Sequence, residues 1–215
     1  MTRTFAILMT FLVTATLALA TPKEDQQSFD LLFRNGTLDA VDRQSTLVYQ
    51  RAVTNRLKPD AGTRDTGEIA LSIQSAGDSE TAHLEFRQEG KHRPLGQFPA
   101  SVGNPMIMVF YEATVRDMAE AAGGSPFYIR NRVKEALAQP SAIETGEADY
   151  RGKRIETQTV SLFPFADDPN RDRMQGFGDL ELRVTMSDEV PGWYLTLSAE
   201  AGAVYSSEMT LGGLE

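Results

Sequence analysis

The chain has 215 residues, 21 Lys and Arg against 30 Asp and Glu, a formal net charge of −9 and no cysteine. An acidic balance of this size lacks the basic face that phosphates demand, which speaks against nucleic acid as a partner and against electrostatic docking on an anionic bilayer. Without cysteine there can be no disulfide, thiolate metal site, iron–sulfur cluster, cysteine nucleophile or lipidated N-terminal cysteine. The length and the 41% hydrophobic content suit one globular domain with its own core.

The N-terminus reads as an export signal. Met1-Thr2-Arg3-Thr4 supplies a positive start, an apolar run follows from Phe5 to Ala18, and Ala18-Leu19-Ala20 has the small-x-small spacing a signal peptidase pocket accepts. The run is short for a bilayer span. These features predict a signal peptide over 1–20, a flexible polar lead-in over 21–27 and a single domain over 28–215. No second long apolar stretch occurs, so no transmembrane segment is expected after cleavage. An exported, unlipidated, cysteine-free chain points to the periplasm.

In the domain itself, Ser28 is placed to cap a short helix carrying Phe29, Leu32 and Phe33, ended by Asn35-Gly36. The pattern then turns to period two. Ser45 to Val53 is β-like; Ile69, Leu71 and Ile73 alternate with smaller or polar neighbours; Leu84 and Phe86 alternate with His83, Glu85 and Arg87. Glu89-Gly90 reads as a hairpin turn, with Leu95 to Phe98 returning. In mid-chain, Asn104-Pro105 and Ser125-Pro126 are helix starts, Gly123-Gly124 and Pro140 are stops, and the spacing predicts helices near 105–122 and 126–138. Strands resume over Ile143–Asp149 and Arg154–Phe165, with a turn at Tyr150–Lys153. A polar loop from Asp167 to Gly178 precedes alternating strands from Leu180, from Trp193 and from Ala203.

Strands, two helices, then strands, all with short connections, define an α+β fold: a curved antiparallel β-sheet, half-barrel-like, with the mid-chain helix pair covering its concave face. Leu71, Leu84, Leu182, Leu195 and Leu197 are assigned to the dry layer.

The catalytic inventory is thin, so no enzyme, no cofactor and no catalytic residue are expected. His83 and His92 fall too far apart along a hairpin to share a metal, and no Gly-x-Ser-x-Gly elbow accompanies them. Asp168-Pro169-Asn170-Arg171-Asp172, with Asp179 at the twelfth position, has carboxylates at calcium-loop spacing. Its sixth position is Arg173 where the sharp turn needs glycine, so the segment reads as a solvated loop. Gly176-Phe177-Gly178 lacks the strand–helix context of a phosphate loop and reads as a hinge or bulge. The start of the central helix, Met106-Ile107-Met108-Val109-Phe110-Tyr111, is apolar on every side. Such a turn is either core or the wall of an apolar cavity. Met106, Met108, Phe110 and Tyr111 are therefore the candidate ligand-binding residues, and methionine suits chains of variable shape.

The signal peptide, antiparallel strands, helical pair and apolar inner positions together resemble the LolA/LolB type of periplasmic lipoprotein carrier. That resemblance implies an unclosed barrel whose concave apolar face, lidded by helices, holds acyl chains. It covers the order of elements over most of 28–214, and no family motif is matched residue by residue, so no site is carried over. The absent cysteine fits the soluble shuttle form. The function expected is a periplasmic carrier or binder of a lipid or lipoprotein acyl chain; the alternative is a non-enzymatic structural or interaction module of the cell envelope with a filled core.

Overall fold

The computed structural model describes residues 24–77 and 79–215; the expected signal peptide, 1–20, lies outside them. The elements are α1 (Glu24–Leu32), β1 (Thr46–Asn55), α2 (Pro59–Asp65), β2 (Gly67–Ala76), β3 (Ser79–Gln88), β4 (Lys91–Pro99), α3 (Met106–Ala122), α4 (Pro126–Leu137), β5 (Ile143–Tyr150), β6 (Lys153–Leu162), β7 (Glu181–Met186), β8 (Tyr194–Ala201) and β9 (Tyr205–Leu214). All nine strands form one open antiparallel sheet in the order β4-β3-β2-β1-β9-β8-β7-β6-β5. The fold is α+β with a curved sheet.

The topology explains the helix pair. β4 and β5 are consecutive in sequence but are the two opposite edges of the sheet. The chain between them must cross a whole face, and α3 and α4 are that crossing. The first four strands spread outward from β1, the last five return inward to β9, and β1 pairs with β9 at the centre.

Alternation divides the faces. On the wet face, Thr159, Thr185, Thr196, Thr210, Gln50, Glu68 and Arg87 stand in one cross-strand row. On the covered face, Val160, Val184, Leu197 and Met209 form a row of side chains with no exposure. Leu71, Leu84, Leu182, Leu195 and Leu197 are all buried. The Glu89-Gly90 and Arg151-Gly152 turns have positive φ at both central residues, the form whose twist matches paired strands. The edge strand β4 carries Lys91, Arg93, Pro94 and Pro99, which blunt it against pairing with another chain.

Three local expectations are corrected. α1 begins at Glu24, so residues 24–27 of the expected lead-in are helical, and Ser28 lies inside the helix, not at its cap. Its buried hydroxyl instead accepts the Ser141 backbone N–H at 3.3 Å. The C-terminal carbonyls of α1 are satisfied from across the fold: Trp193 Nε1–H donates to Leu31 O at 3.1 Å and Tyr194 O–H to Leu32 O at 2.6 Å. Helix α2 is an addition. Its sequence, Pro59-Asp60-Ala61-Gly62-Thr63-Arg64-Asp65, has no apolar period to betray it. Finally, the 167–178 segment is not simply solvated: it makes two 3₁₀ turns, Arg171–Arg173 and Phe177–Asp179, and Phe177 is fully buried with its ring centroid 5.1 Å from that of Tyr205.

Candidate functional site

The position of α3 is set by Asn104. Its Oδ1 accepts the Met106 N–H at 2.9 Å, satisfying one of the donors a helix leaves free at its start. Its Nδ2 donates to Gly192 O at 2.8 Å and to the Tyr49 hydroxyl at 3.3 Å. The Tyr49 hydroxyl in turn donates to Tyr194 O at 3.0 Å. One buried amide therefore ties the helix start to β1 and to the turn before β8.

The four candidate residues divide around this turn of helix. Met106 and Phe110 are 0% exposed and Tyr111 is 5% exposed, all within the continuous core. Met108 is 45% exposed. The apolar turn is thus packed on the Met106–Phe110 side and open on the Met108–Val109 side.

What Met108 faces is a cleft of about 340 Å³ between α3 and the β2–β4 end of the sheet. Ile69, Phe86, Leu95, Phe98, Met108 and Val109 give it an apolar lining, and Arg51, Arg93, Glu112 and Arg116 border it. Its volume is at the low end of the roughly 300–1,000 Å³ usual for small-molecule pockets. The cleft exists because β4 is poorly covered. A register shift between Leu84 and Glu85 sets Gly96 opposite Leu84, where the simple hairpin count would put Leu95. Beside it, Gly67 begins β2 without a side chain, and the Phe86 ring occupies that space: a Cβ on Gly67 would lie 2.8 Å from Phe86 Cζ.

A second depression of about 490 Å³ shares Phe86, Arg93 and Arg116 with the cleft and adds Arg64, Asp65, Gln88, Lys91, His92 and Glu120. The two form one surface, apolar at its base and charged at its mouth. Arg64 bridges Asp65 at 2.7 Å and Glu120 at 2.8 Å. Burial pushes the Asp65 carboxyl up, but the Arg64 hydrogen bond and the charges of Arg116, Arg64 and Arg51 outweigh it and hold the group below the usual carboxylate range.

Beneath the mouth lies a buried ion pair. Arg51 Nη2 donates to Asp117 Oδ2 at 2.6 Å, and the Tyr205 hydroxyl donates to the same oxygen at 2.8 Å. The other oxygen, Asp117 Oδ1, accepts no hydrogen bond and is 3.5 Å from Arg116 Nη2. Burial is the main cause that drives the Tyr205 hydroxyl pKa upward, so it remains a donor. Sequence reasoning missed Arg51, although a signal was available. Parity along β1 puts Leu47, Tyr49, Arg51 and Val53 on one face, so a cation stands in the dry row. Arg93, Arg116 and Phe98 were missed for a different reason: only tertiary folding brings β4 against α3.

Of the other sequence candidates, His92 stands at the rim of the second depression and the rest are elsewhere. His92 is exposed, with Nδ1 3.4 Å from Glu85 Oε2, and His83 is half-buried. Asp168 accepts hydrogen bonds from the Tyr128 hydroxyl at 2.7 Å and Asn170 N–H at 2.8 Å, and Arg132 Nε lies 2.7 Å away. Arg171 pairs with Asp179. Asp168 and Asp179 are thus engaged by cations of the chain itself. Among the described residues, no group of three or more His, Asp or Glu is arranged to hold a metal ion, and no helix is long and apolar enough to cross a membrane.

Comparison with known proteins finds no matching family model and no matching curated protein. Among solved structures, the chain is similar to the crystal structure of the Mycobacterium tuberculosis lipoprotein LppX, at 13% identity over 87% of this chain and 90% of that one, with a TM-score of 0.31. At that score the likeness is one of outline.

Proposed function

We propose that the chain is a non-enzymatic, extracytoplasmic carrier or binder of an apolar ligand, taking an acyl chain into the cleft between α3 and β2–β4. The observation that carries this reading is the cleft itself: seven apolar side chains, Met108 and Val109 among them, line a space that the core leaves open. Exposed apolar concavities of this kind on a soluble surface are costly unless something occupies them. The extracytoplasmic location rests on the Arg3 start, the apolar run and Ala18-x-Ala20. The packed side of the helix start narrows the ligand-facing set to Met108 of the four expected residues, with Met106, Phe110 and Tyr111 acting as its support.

A second reading, a structural module with a filled core, is favoured by the solid packing of the sheet centre, where Tyr49, Met106, Phe110 and Leu197 are without exposure. A fluorescent fatty-acid probe separates the two. Saturable binding at micromolar probe that Met108→Asp abolishes supports the carrier. Met108 is exposed enough for an aspartate to stay hydrated there, so the variant keeps its fold. Absence of saturable binding to the wild-type protein leaves the structural module.

A further inference from the structure

The chemistry at the mouth of the cleft points beyond a merely apolar ligand. The two joined depressions are lined by five Lys or Arg residues, Arg51, Arg64, Lys91, Arg93 and Arg116, against three carboxylates, Asp65, Glu112 and Glu120. This local excess of cations sits in a chain whose formal net charge is −9. The carboxylates are already engaged. Arg64 clamps Asp65 and Glu120, Arg130 takes Glu112 through two contacts of 2.7 Å, and Asp117 below belongs to Arg51 at 2.6 Å. Glu85, the nearest acid to His92, is held by Arg87 at 2.6 Å.

Three cations remain. Among the described residues, Arg93 and Lys91 pair with no carboxylate. The Arg93 guanidinium lies over the Phe86 ring at 5.2 Å from its centroid, bringing its charge to the border of the apolar floor. Arg116 makes ion contacts only at 3.5 Å to Asp117 and 3.9 Å to Asp65, with no hydrogen bond to either. Guanidinium donors standing free at the border of an apolar cleft match an anion attached to an acyl chain.

Resting on the carrier reading, we infer that the ligand is an amphiphile with one acyl chain and an anionic headgroup, a carboxylate or a phosphate, and that Arg93 and Arg116 bind the head while the Phe86–Met108 cleft takes the chain. Arg93 is the specificity-determining residue, because its donors are uncommitted among the described residues. Arg116 shares the load but also faces Asp65 and Asp117, so its removal would disturb the buried pair.

The test uses the uncharged dye 1-N-phenylnaphthylamine to report cleft occupancy, displaced by palmitate, palmitoyl lysophosphatidate or hexadecanol, each below its aggregation concentration. At least one of the two anions should displace dye at about tenfold lower concentration than hexadecanol, since a charge-assisted hydrogen bond at a partly dry site is worth that factor. Added salt should shrink the advantage. Arg93→Gln should erase it, bringing both anions to the displacing concentration of hexadecanol measured on the same variant. The better of the two anions identifies the headgroup. Hexadecanol competing as well as both anions, or an unchanged preference in Arg93→Gln, overturns the headgroup assignment and leaves the apolar carrier standing. If the dye, the alcohol and both anions all fail to bind, the carrier reading falls and this inference with it.

Discussion

Arg51 of β1 and Asp117 of α3 meet at 2.6 Å, with each side chain only 3% exposed, and this contact pins the crossing helix to the centre of the sheet. The row Val160-Val184-Leu197-Met209 ends on Arg51, so this aliphatic row stops at a charge, and Arg51 also borders the cleft. Two opposite charges out of water are tolerated only with further hydrogen bonds, which Tyr205 supplies at 2.8 Å.

Removing one partner should be far worse than removing both. Asp117→Ala strands a buried guanidinium and is expected to cost about 3–5 kcal/mol, whereas the Arg51→Met, Asp117→Leu double variant should lie close to wild type or above it. Urea denaturation of the three proteins checks this. A double variant as unstable as the single one would mean that the pair contributes net stability of its own.

Asn104 carries a different kind of anchoring. Asn104→Ala removes the acceptor of the Met106 N–H and the donor to Gly192 O together. Loss of a helix-start acceptor costs about 1 kcal/mol, and a buried carbonyl left without its donor adds about 1–3 kcal/mol. The expected total is about 2–4 kcal/mol, read as a lowered denaturation midpoint without a changed slope. Asn104→Asp should recover the first contribution but not the second, because a carboxylate cannot donate to Gly192 O.

Asp168 sets an acid limit. Burial pushes its carboxyl up, but donation from the Tyr128 hydroxyl and Asn170 N–H, with the Arg132 charge, outweighs this, so the folded group sits below the ordinary value. The unfolded chain then takes up a proton at higher pH than the folded one does. The stabilisation is complete above the unfolded value of about 3.9 and is lost as pH falls through the folded value. Asp65 behaves the same way. Stability measured downward from neutrality should therefore hold until about pH 4 to 5 and then drop, with a shallower fall in Asp168→Asn. Equal slopes for variant and wild type would refute the assignment.

Much of this fold could be read from residue order. The positions of β2, β3 and β7 follow from alternation, and the bounds of α3 and α4 from Asn104-Pro105, Ser125-Pro126 and the glycines between them. The β1–β9 pairing could not, since it joins the beginning and end of the domain and no local pattern records it. The cleft was only half legible. An apolar helix start is visible in the sequence, but which of its sides is packed depends on the shift at Leu84/Glu85 and on the missing side chain at Gly67. Those two features lower the cover over β4 and leave Met108 facing outward while Met106 and Phe110 are enclosed.

Gly67 gives the most direct test of that account. A Cβ there would lie 2.6 Å from Arg87 O and 2.8 Å from Phe86 Cζ, so Gly67→Ala must push the Phe86 ring toward the cleft or strain the β2–β3 pairing. Overpacking of this kind costs about 1–3 kcal/mol. Phe86 also forms part of the cleft floor, so the displacement should narrow the cleft and weaken the fluorescent probe along with the fold. Gly146→Ala is the control. It sits on the opposite edge strand, its Cβ would meet only Thr157 Oγ1 at an ordinary 3.5 Å, and neither stability nor probe binding should change. Gly67→Ala leaving probe affinity intact while lowering stability would show that the strain falls on the β2–β3 pairing and that the Phe86 ring does not enter the cleft.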